Sequence, residues 1–455
     1  MAFQDIRKSL KRLRPEEIRI AALLVIILSA LLALNIYVAR IVPGGEWLYL
    51  RWEGVRSFLS LDAAPGLKYA RTMPDGKTTL LVTRVEPYGT EVGQTVQQIM
   101  YGRNAFANEY AYILNDPFYI ILLYIPLVVT PNIVNWLIPA AGAGFDLVRG
   151  IWMLFSEVTL VFMVSFSFRL SEWEPPRWLY FTLIVFGLFG FFSLNALVTA
   201  SPAIFLAFLC LCILLALRSH SDELAGGLLL LVAYQWEVSA LFFLSVMMFV
   251  FVNRRWNVLM GLGMSLVVLL IVSFLANPSW GLPYIRAVLA DWYRSANVNL
   301  AYVLSDWFPT VKFPLSRFIS ILMIAMVCIE SIGAAQAPFR RVVWTAALAL
   351  AATPLIGLAM FPSNYVVLIL PLVLIVALIW ERWRRSKDFF VALVLLAALL
   401  IPFGLYLQTI SVYAPFYTQL LSVLPPVAAI VGLYWMRWWV LHSPRTWADQ
   451  IGFRK

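Results

Sequence analysis

IRIAALLVIILSALLALNIYVARIV, residues 18–42, is an apolar run whose only charged residues are Arg19 near its start and Arg40 near its end. At about 1.5 Å per residue it rises roughly 37 Å as a helix, more than the ~30 Å hydrocarbon core of a bilayer. It is too long for a removable signal peptide and lacks a small-residue cleavage site, so it reads as a retained membrane anchor. Pro43, Gly44 and Gly45 end it, and EWLYLRWE (46–53) begins the densest collection of charge in the chain. A span that delivers a charged loop to the far side of a membrane sets the reading of everything that follows.

Comparable apolar runs recur through the 455 residues. Hydrophobic residues make up 62% and charged residues 13%, against roughly 45–50% and about 25% in soluble domains. The fold class is therefore an all-α polytopic membrane protein, a single integral membrane domain with about 10–12 transmembrane helices. A β-barrel is excluded because the runs are continuous rather than alternating. Cys210, Cys212 and Cys328 all lie in apolar runs, which indicates neither a disulfide framework nor a zinc site. The formal charge of +10 is explained by basic cytoplasmic loops and requires no nucleic acid.

Residues 1–17 carry Arg7, Lys8, Lys11, Arg12 and Arg14, which places the N-terminus in the cytoplasm of a cell that bears this chain in its inner (plasma) membrane. The first span then sends residues 44–117 outside. Spans are expected at 148–168, 178–194, 201–217, 257–275, 313–333, 342–360, 365–380, 389–409 and 416–438, ten with the first. Segment 117–138 contains Pro126 and Pro131 and is followed by Pro139. Its uninterrupted stretch is short for a crossing, so a re-entrant or interfacial element is expected. Segment 223–252 is interrupted at Tyr234-Gln235-Trp236-Glu237 and reads as a hairpin with its tip outside. A second outer loop spans 277–312, and 439–455 form a cytoplasmic tail. With that parity the clusters at Arg169–Arg177, Arg218–Glu223, Arg254–Arg255, Arg340–Arg341 and Arg382–Lys387 all fall inside. No internal repeat is evident, which speaks against an inverted-repeat transporter.

Chemistry is sought in the first outer loop. Glu46, at the mouth of the first span after two glycines, can take a proton from an attacking hydroxyl. It can equally cap a helix or pair with Arg51. Glu53, seven residues on, is the rival carboxylate. Arg51, Arg56, Arg103 and Arg294 can grip phosphate as bidentate donors, or neutralise neighbouring acids, since residues 44–116 hold seven basic and eight acidic side chains. Tyr88, Asp116 and Tyr119 close the loop, and Gln235 and Glu237 reach the same side. Asn195 and Asn364 are further polar residues at span ends. Glu330 lies near a cytoplasmic end, where it is expected to snorkel. No Walker loop, dinucleotide fingerprint or metal-ligand spacing is present, so no cofactor is expected, and an outer-face reaction would need a membrane-borne activated donor.

These residues carry a resemblance. Gly45-Glu46-Trp47-Leu48-Tyr49 is followed by Glu86-Pro87-Tyr88, Tyr101-Gly102-Arg103, Asp116-Pro117-Phe118-Tyr119, Arg149-Gly150-Ile151-Trp152 and Asn277-Pro278-Ser279-Trp280. The order resembles glycosyltransferase family 87 of the GT-C superfamily, the polyprenyl-phosphate-mannose-dependent mannosyltransferases. The likeness covers most of the chain except the last hundred residues, which match only as hydrophobic spans. It implies a GT-C-like bundle and inverting transfer of a sugar from a polyprenyl-phosphate donor to a glycolipid, glycan or protein acceptor. It also implies Glu46 as general base, where relatives usually carry aspartate. A Lys-Pro-Gln-like element of relatives appears here as Tyr234-Gln235-Trp236. A silent scaffold with the same fold, and a lipid or sugar transporter, are the alternatives.

Overall fold

The computed structural model describes residues 15–59, 70–72, 78–80, 87–88, 114–139, 142–294, 298–383, 386–412 and 415–441. The chain is an all-α polytopic membrane protein. Among the described residues, nine helical segments are long and apolar enough to cross a bilayer, or ten if one bent pair counts as a single span. The one departure from helix among the described residues is a two-stranded antiparallel ribbon, Ala70–Thr72 with Thr78–Leu80, inside the first loop.

Helix α1 (Pro15–Ile41) starts with proline, which lacks only an N–H that would be unsatisfied anyway, and continues in leucine, isoleucine and alanine. It packs mainly against α5 (Phe145–Ser171). Gly150 makes that contact possible: a Cβ there would sit 2.6 Å from Ile36 Cγ1 and 3.1 Å from its Cα. Where the two helices meet in the membrane, Asn35 Nδ2 donates to Glu157 Oε2 at 3.0 Å. The innermost spans are Phe339–Ile356 and Pro362–Arg382, whereas Arg19–Ile41 and Lys387–Ile410 lie on the rim.

Ion pairs sort the turns by end. Arg218 donates to Arg169 O at 2.8 Å and Glu172 Oε1 at 2.6 Å. Arg255 donates to Leu217 O at 2.9 Å and pairs with Asp222. Arg340 meets Glu381 at 2.8 Å, and Arg437 meets Glu330 at 2.8 Å. The turns at 169–177, 217–222, 253–256 and 335–341 therefore share one end with Glu381, as the charge pattern requires. Arg255 bridges the turn before α9 (Asp222–Ala233) and the turn after α10 (Trp236–Val252), so this pair goes out and returns. The break falls at Tyr234–Gln235, as expected for the hairpin.

Segment 118–137 passes as a candidate span by length and hydropathy. It is α3 (Phe118–Leu122) and α4 (Ile125–Leu137), broken at Leu123–Tyr124. Asp116 before it pairs with Arg51, and Asn135 near its end bonds Ala143, two residues from the Phe145 ring that packs on Tyr49. Both ends of the segment are thus tied to the helix Glu46–Phe58 and its neighbours, and its length and hydropathy are those of a span rather than of the short element expected.

Three further expectations need correction. The span at 178–194 is two helices, α6 (Arg177–Phe189) and α7 (Phe191–Val198), bent by 42° at Gly190. The next, expected at 201–217, is the 16-residue α8 (Ala203–Arg218), about 24 Å long and shorter than a full crossing. Glu330 does not snorkel. It is buried, paired with Arg437 at 2.8 Å and 3.6 Å from Arg341 Nη2, because two cations from neighbouring helices reach it. The remaining helices are α11 (Trp256–Ala276), α12 (Gly281–Arg294), α13 (Leu300–Trp307), α14 (Lys312–Ala335), α15 (Phe339–Ala352), α16 (Ile369–Arg382), α17 (Lys387–Val412) and α18 (Pro415–Leu441). Between α15 and α16 the chain tightens into 3-10 turns, Thr353–Ile356 and Pro362–Leu368, each with proline at its first or second position.

Candidate functional site at the end opposite the cation-rich turns

The site is built on the turn between α1 and α2 (Glu46–Phe58). Gly44 and Gly45 have φ of 139° and 88°, a region open mainly to glycine. Space makes the same demand: a Cβ on Gly44 would lie 2.6 Å from Val198 O, and one on Gly45 2.9 Å from Arg149 Cδ. Arg149 holds the turn. Its Nη1 donates to Val42 O at 2.7 Å and Ala39 O at 3.2 Å, and its Nη2 to Val198 O at 2.8 Å. Those carbonyls end α1 and α7, where unpaired acceptors and the negative end of the helix dipole favour a cation.

Glu46 opens α2 and is half-buried. Burial pushes its carboxyl above the usual range, while its own backbone N–H and the Arg149 guanidinium pull the other way. Beside it the Trp47 ring meets Phe361 edge-on at 5.2 Å, and Tyr49 meets Phe145 at 4.8 Å. Glu53, two turns along, is 0% exposed, and neither carboxylate oxygen has a hydrogen-bond partner. Burial raises its carboxyl too, with Arg56 opposing. The two carboxylates separate clearly: Glu46 is reachable and Glu53 is sealed.

Arg51 and Asp116 form a buried pair, Nη2 to Oδ1 at 2.9 Å and Nε to Oδ2 at 2.5 Å, while Arg51 Nη1 donates to Trp47 O at 2.9 Å. All three nitrogens are thereby committed. The Tyr88 hydroxyl donates to Asp116 O at 3.0 Å, and its ring packs on Tyr284 of α12 at 5.8 Å. Asn115 donates to Asp291 at 2.9 Å, which ties the segment before α3 to α12. Burial lifts the Asp291 carboxyl, and the Asn115 bond opposes that. Arg56 stacks over Trp52 at 5.1 Å.

Tyr119 is buried in α3. Glu237 lies within electrostatic reach of Asp291, Asp116 and Arg51, and Gln235 beside it has a buried Oε1 without a hydrogen-bond partner. The structure therefore brings together Glu46, Glu53, Arg51, Arg56, Tyr88, Asp116 and Tyr119 around α2, with Gln235 and Glu237 at the hairpin tip. Arg103 lies outside the described residues, as does the side chain of Arg294. Of the polar span ends, Asn195 accepts Thr199 Oγ1 through its carbonyl, and Asn364 is buried with an unpartnered Nδ2.

Sequence reasoning missed Arg149 as the organiser of the turn and Glu157 as an intramembrane carboxylate. Each had a signal: a lone cation at the outer end of a span, and a lone acid at the centre of one. With this geometry in place, comparison with known proteins adds nothing to it: no family model, curated protein or solved structure matches the chain.

Proposed function

We propose that the chain is an inverting glycosyltransferase of the GT-C type, taking a sugar, mannose by the resemblance, from a polyprenyl-phosphate donor at the outer face of the membrane. One observation carries the choice of residue: of the two carboxylates on α2, Glu46 is partly open and seated on a locked turn, whereas Glu53 is sealed. In this reading Glu46 accepts the acceptor hydroxyl's proton as that oxygen attacks the anomeric carbon. The carbon–oxygen bond to the polyprenyl phosphate breaks, and the lipid phosphate leaves with the electron pair. A carboxylate whose proton affinity is raised by burial is a better base than one in water. Aromatic residues around it, Trp47, Tyr49, Phe145 and Phe361, offer surfaces for a sugar or a lipid stem. The positive-inside rule puts the cation-rich end, and the N-terminus with it, in the cytoplasm.

A non-catalytic scaffold is the second reading, and one observation favours it. Arg51, the buried cation nearest Glu46 in sequence, is closed on Asp116 and Trp47 rather than open to a phosphate.

The test is turnover of polyprenyl-phosphate mannose by the purified protein in lipid. Glu46→Gln should lower turnover about 10²–10⁴-fold, the usual scale of general-base catalysis, with donor binding retained. Full activity in Glu46→Gln, or no transfer or donor hydrolysis by the unmodified protein, removes this assignment.

A further inference from the structure

At the end opposite Glu46, the structure contains a crevice of about 1530 Å³ between α5, the start of α6, α8 and α9. Its walls are apolar. Phe166 stacks on Phe208 at 5.5 Å, Phe168 packs against Trp173 and Tyr180, and Leu228 lines the wall on α9. From Phe208 to Arg218 the α8 wall spans eleven residues, about 15 Å of helix. Leu224 on the rim is 58% exposed, so the crevice faces sideways, where the acyl chains of a bilayer lie.

The mouth is charged, and its charges are not all spent. Arg218 is bound to Glu172 and to Arg169 O. Arg169 and Glu174 are both exposed and line the same mouth, and among the described residues neither side chain has a partner. Two cations and two carboxylates leave the mouth neutral, with one free group of each sign. That pattern disfavours a purely anionic ligand, which would meet Glu174 unscreened. It matches a headgroup that carries a phosphate and an ammonium together. A primary ammonium has three N–H donors for a carboxylate, whereas a quaternary one has none.

We propose that this crevice binds a phospholipid with a primary-amine headgroup, phosphatidylethanolamine in type, from the leaflet at the cation-rich end. Its phosphate meets Arg169 and Arg218, its ammonium meets Glu174, and one acyl chain lies along Phe166, Phe208 and Leu228. The glycosyl-transfer reading concerns the other end of the bundle, so the two stand or fall separately.

Cys212 lines the crevice and is half-buried, while Cys210 beside it is fully buried. A Cys328→Ser background leaves Cys212 as the reactive thiol. Its alkylation rate by a membrane-permeant maleimide is measured in nanodiscs of phosphatidylcholine containing phosphatidylethanolamine or phosphatidylglycerol, or neither. The expected result is at least threefold slower labelling with phosphatidylethanolamine alone, lost in both Arg169→Gln and Glu174→Gln. Native mass spectrometry of the same samples should show a retained phosphatidylethanolamine in the parent and not in either variant. Equal protection by all three lipids, stronger protection by phosphatidylglycerol, or protection that survives both substitutions overturns the proposal. Equal protection in lipid-free detergent overturns it as well, since the headgroup would then not be what is recognised.

Discussion

Replacing Glu53 by glutamine should make the protein more stable at neutral pH. The carboxyl is fully buried and has no hydrogen-bond partner for either oxygen, and burial raises its pKa. A carboxyl whose proton affinity rises on folding costs stability once the pH exceeds its unfolded pKa, at roughly 1.4 kcal/mol for each unit by which it is raised. The nearby Arg56 charge opposes that rise by stabilising the ionised form, so a gain on the order of 1 kcal/mol is expected for Glu53→Gln. Because the folded pKa is raised, the native state binds the proton more tightly than the unfolded chain. The contribution of Glu53 is thus greatest below the ordinary carboxylate range and is lost as pH rises through its folded pKa. The difference in Tm between Glu53→Gln and the parent should therefore widen from pH 5 to pH 8. For a chain of this length, about 1–2 °C per kcal/mol is expected by extending the inverse scaling of Tm shifts with size. Tryptophan emission followed on heating at each pH measures it. A lower Tm in the glutamine variant at pH 7.5, or a gap that narrows with rising pH, would refute the reasoning.

Arg149→Met strands three helix-end carbonyls and should lower stability by about 3 kcal/mol, at roughly 1 kcal/mol per lost bond; Arg149→Lys, with no planar fork, should recover only part, and the same thermal melt reports both. Arg51→Gln and Asp116→Asn each leave a buried charge alone and should cost about 3–5 kcal/mol, while the double variant should cost much less than their sum. Gly44→Ala should destabilise the protein and depress turnover together, since its Cβ would stand 2.6 Å from Val198 O; a variant with parental Tm and turnover would contradict the tight turn. Ser279→Cys and Asn253→Cys, both exposed and at opposite ends of α11, should react with an impermeant maleimide from opposite sides of sealed vesicles.

The run at 18–42 was legible as a span because composition and length alone decide it. The break at Tyr234–Gln235 was legible because a polar cluster interrupts two apolar halves. The bend at Gly190 was not, since a single glycine inside an apolar run reads the same whether the helix continues or turns. The candidate site was half legible. Glu46, Arg51, Tyr88 and Asp116 stand out as charged or hydroxylated residues in one outer loop, but their pairing depends on contacts across 65 positions for Arg51 and Asp116. Nothing in the local sequence distinguishes open Glu46 from sealed Glu53, because the cover over Glu53 comes from elsewhere in the chain. Glu330 misled for the same reason: its partners, Arg341 and Arg437, lie on other helices.

The hold that Arg149 keeps on Val198 has a consequence for biogenesis. Gly44 leaves the ribosome long before Val198 does. About 150 residues separate them, which translation at about 5–20 residues per second covers in roughly 8–30 s. Throughout that interval the Gly44–Gly45 turn lacks the carbonyl wall that Val198 supplies. The first loop is therefore made while its glycine hinge is unset. A nascent chain halted before residue 198 would carry Glu46 on a hinge that has not yet locked, so the seat of the carboxylate is completed by a helix made much later.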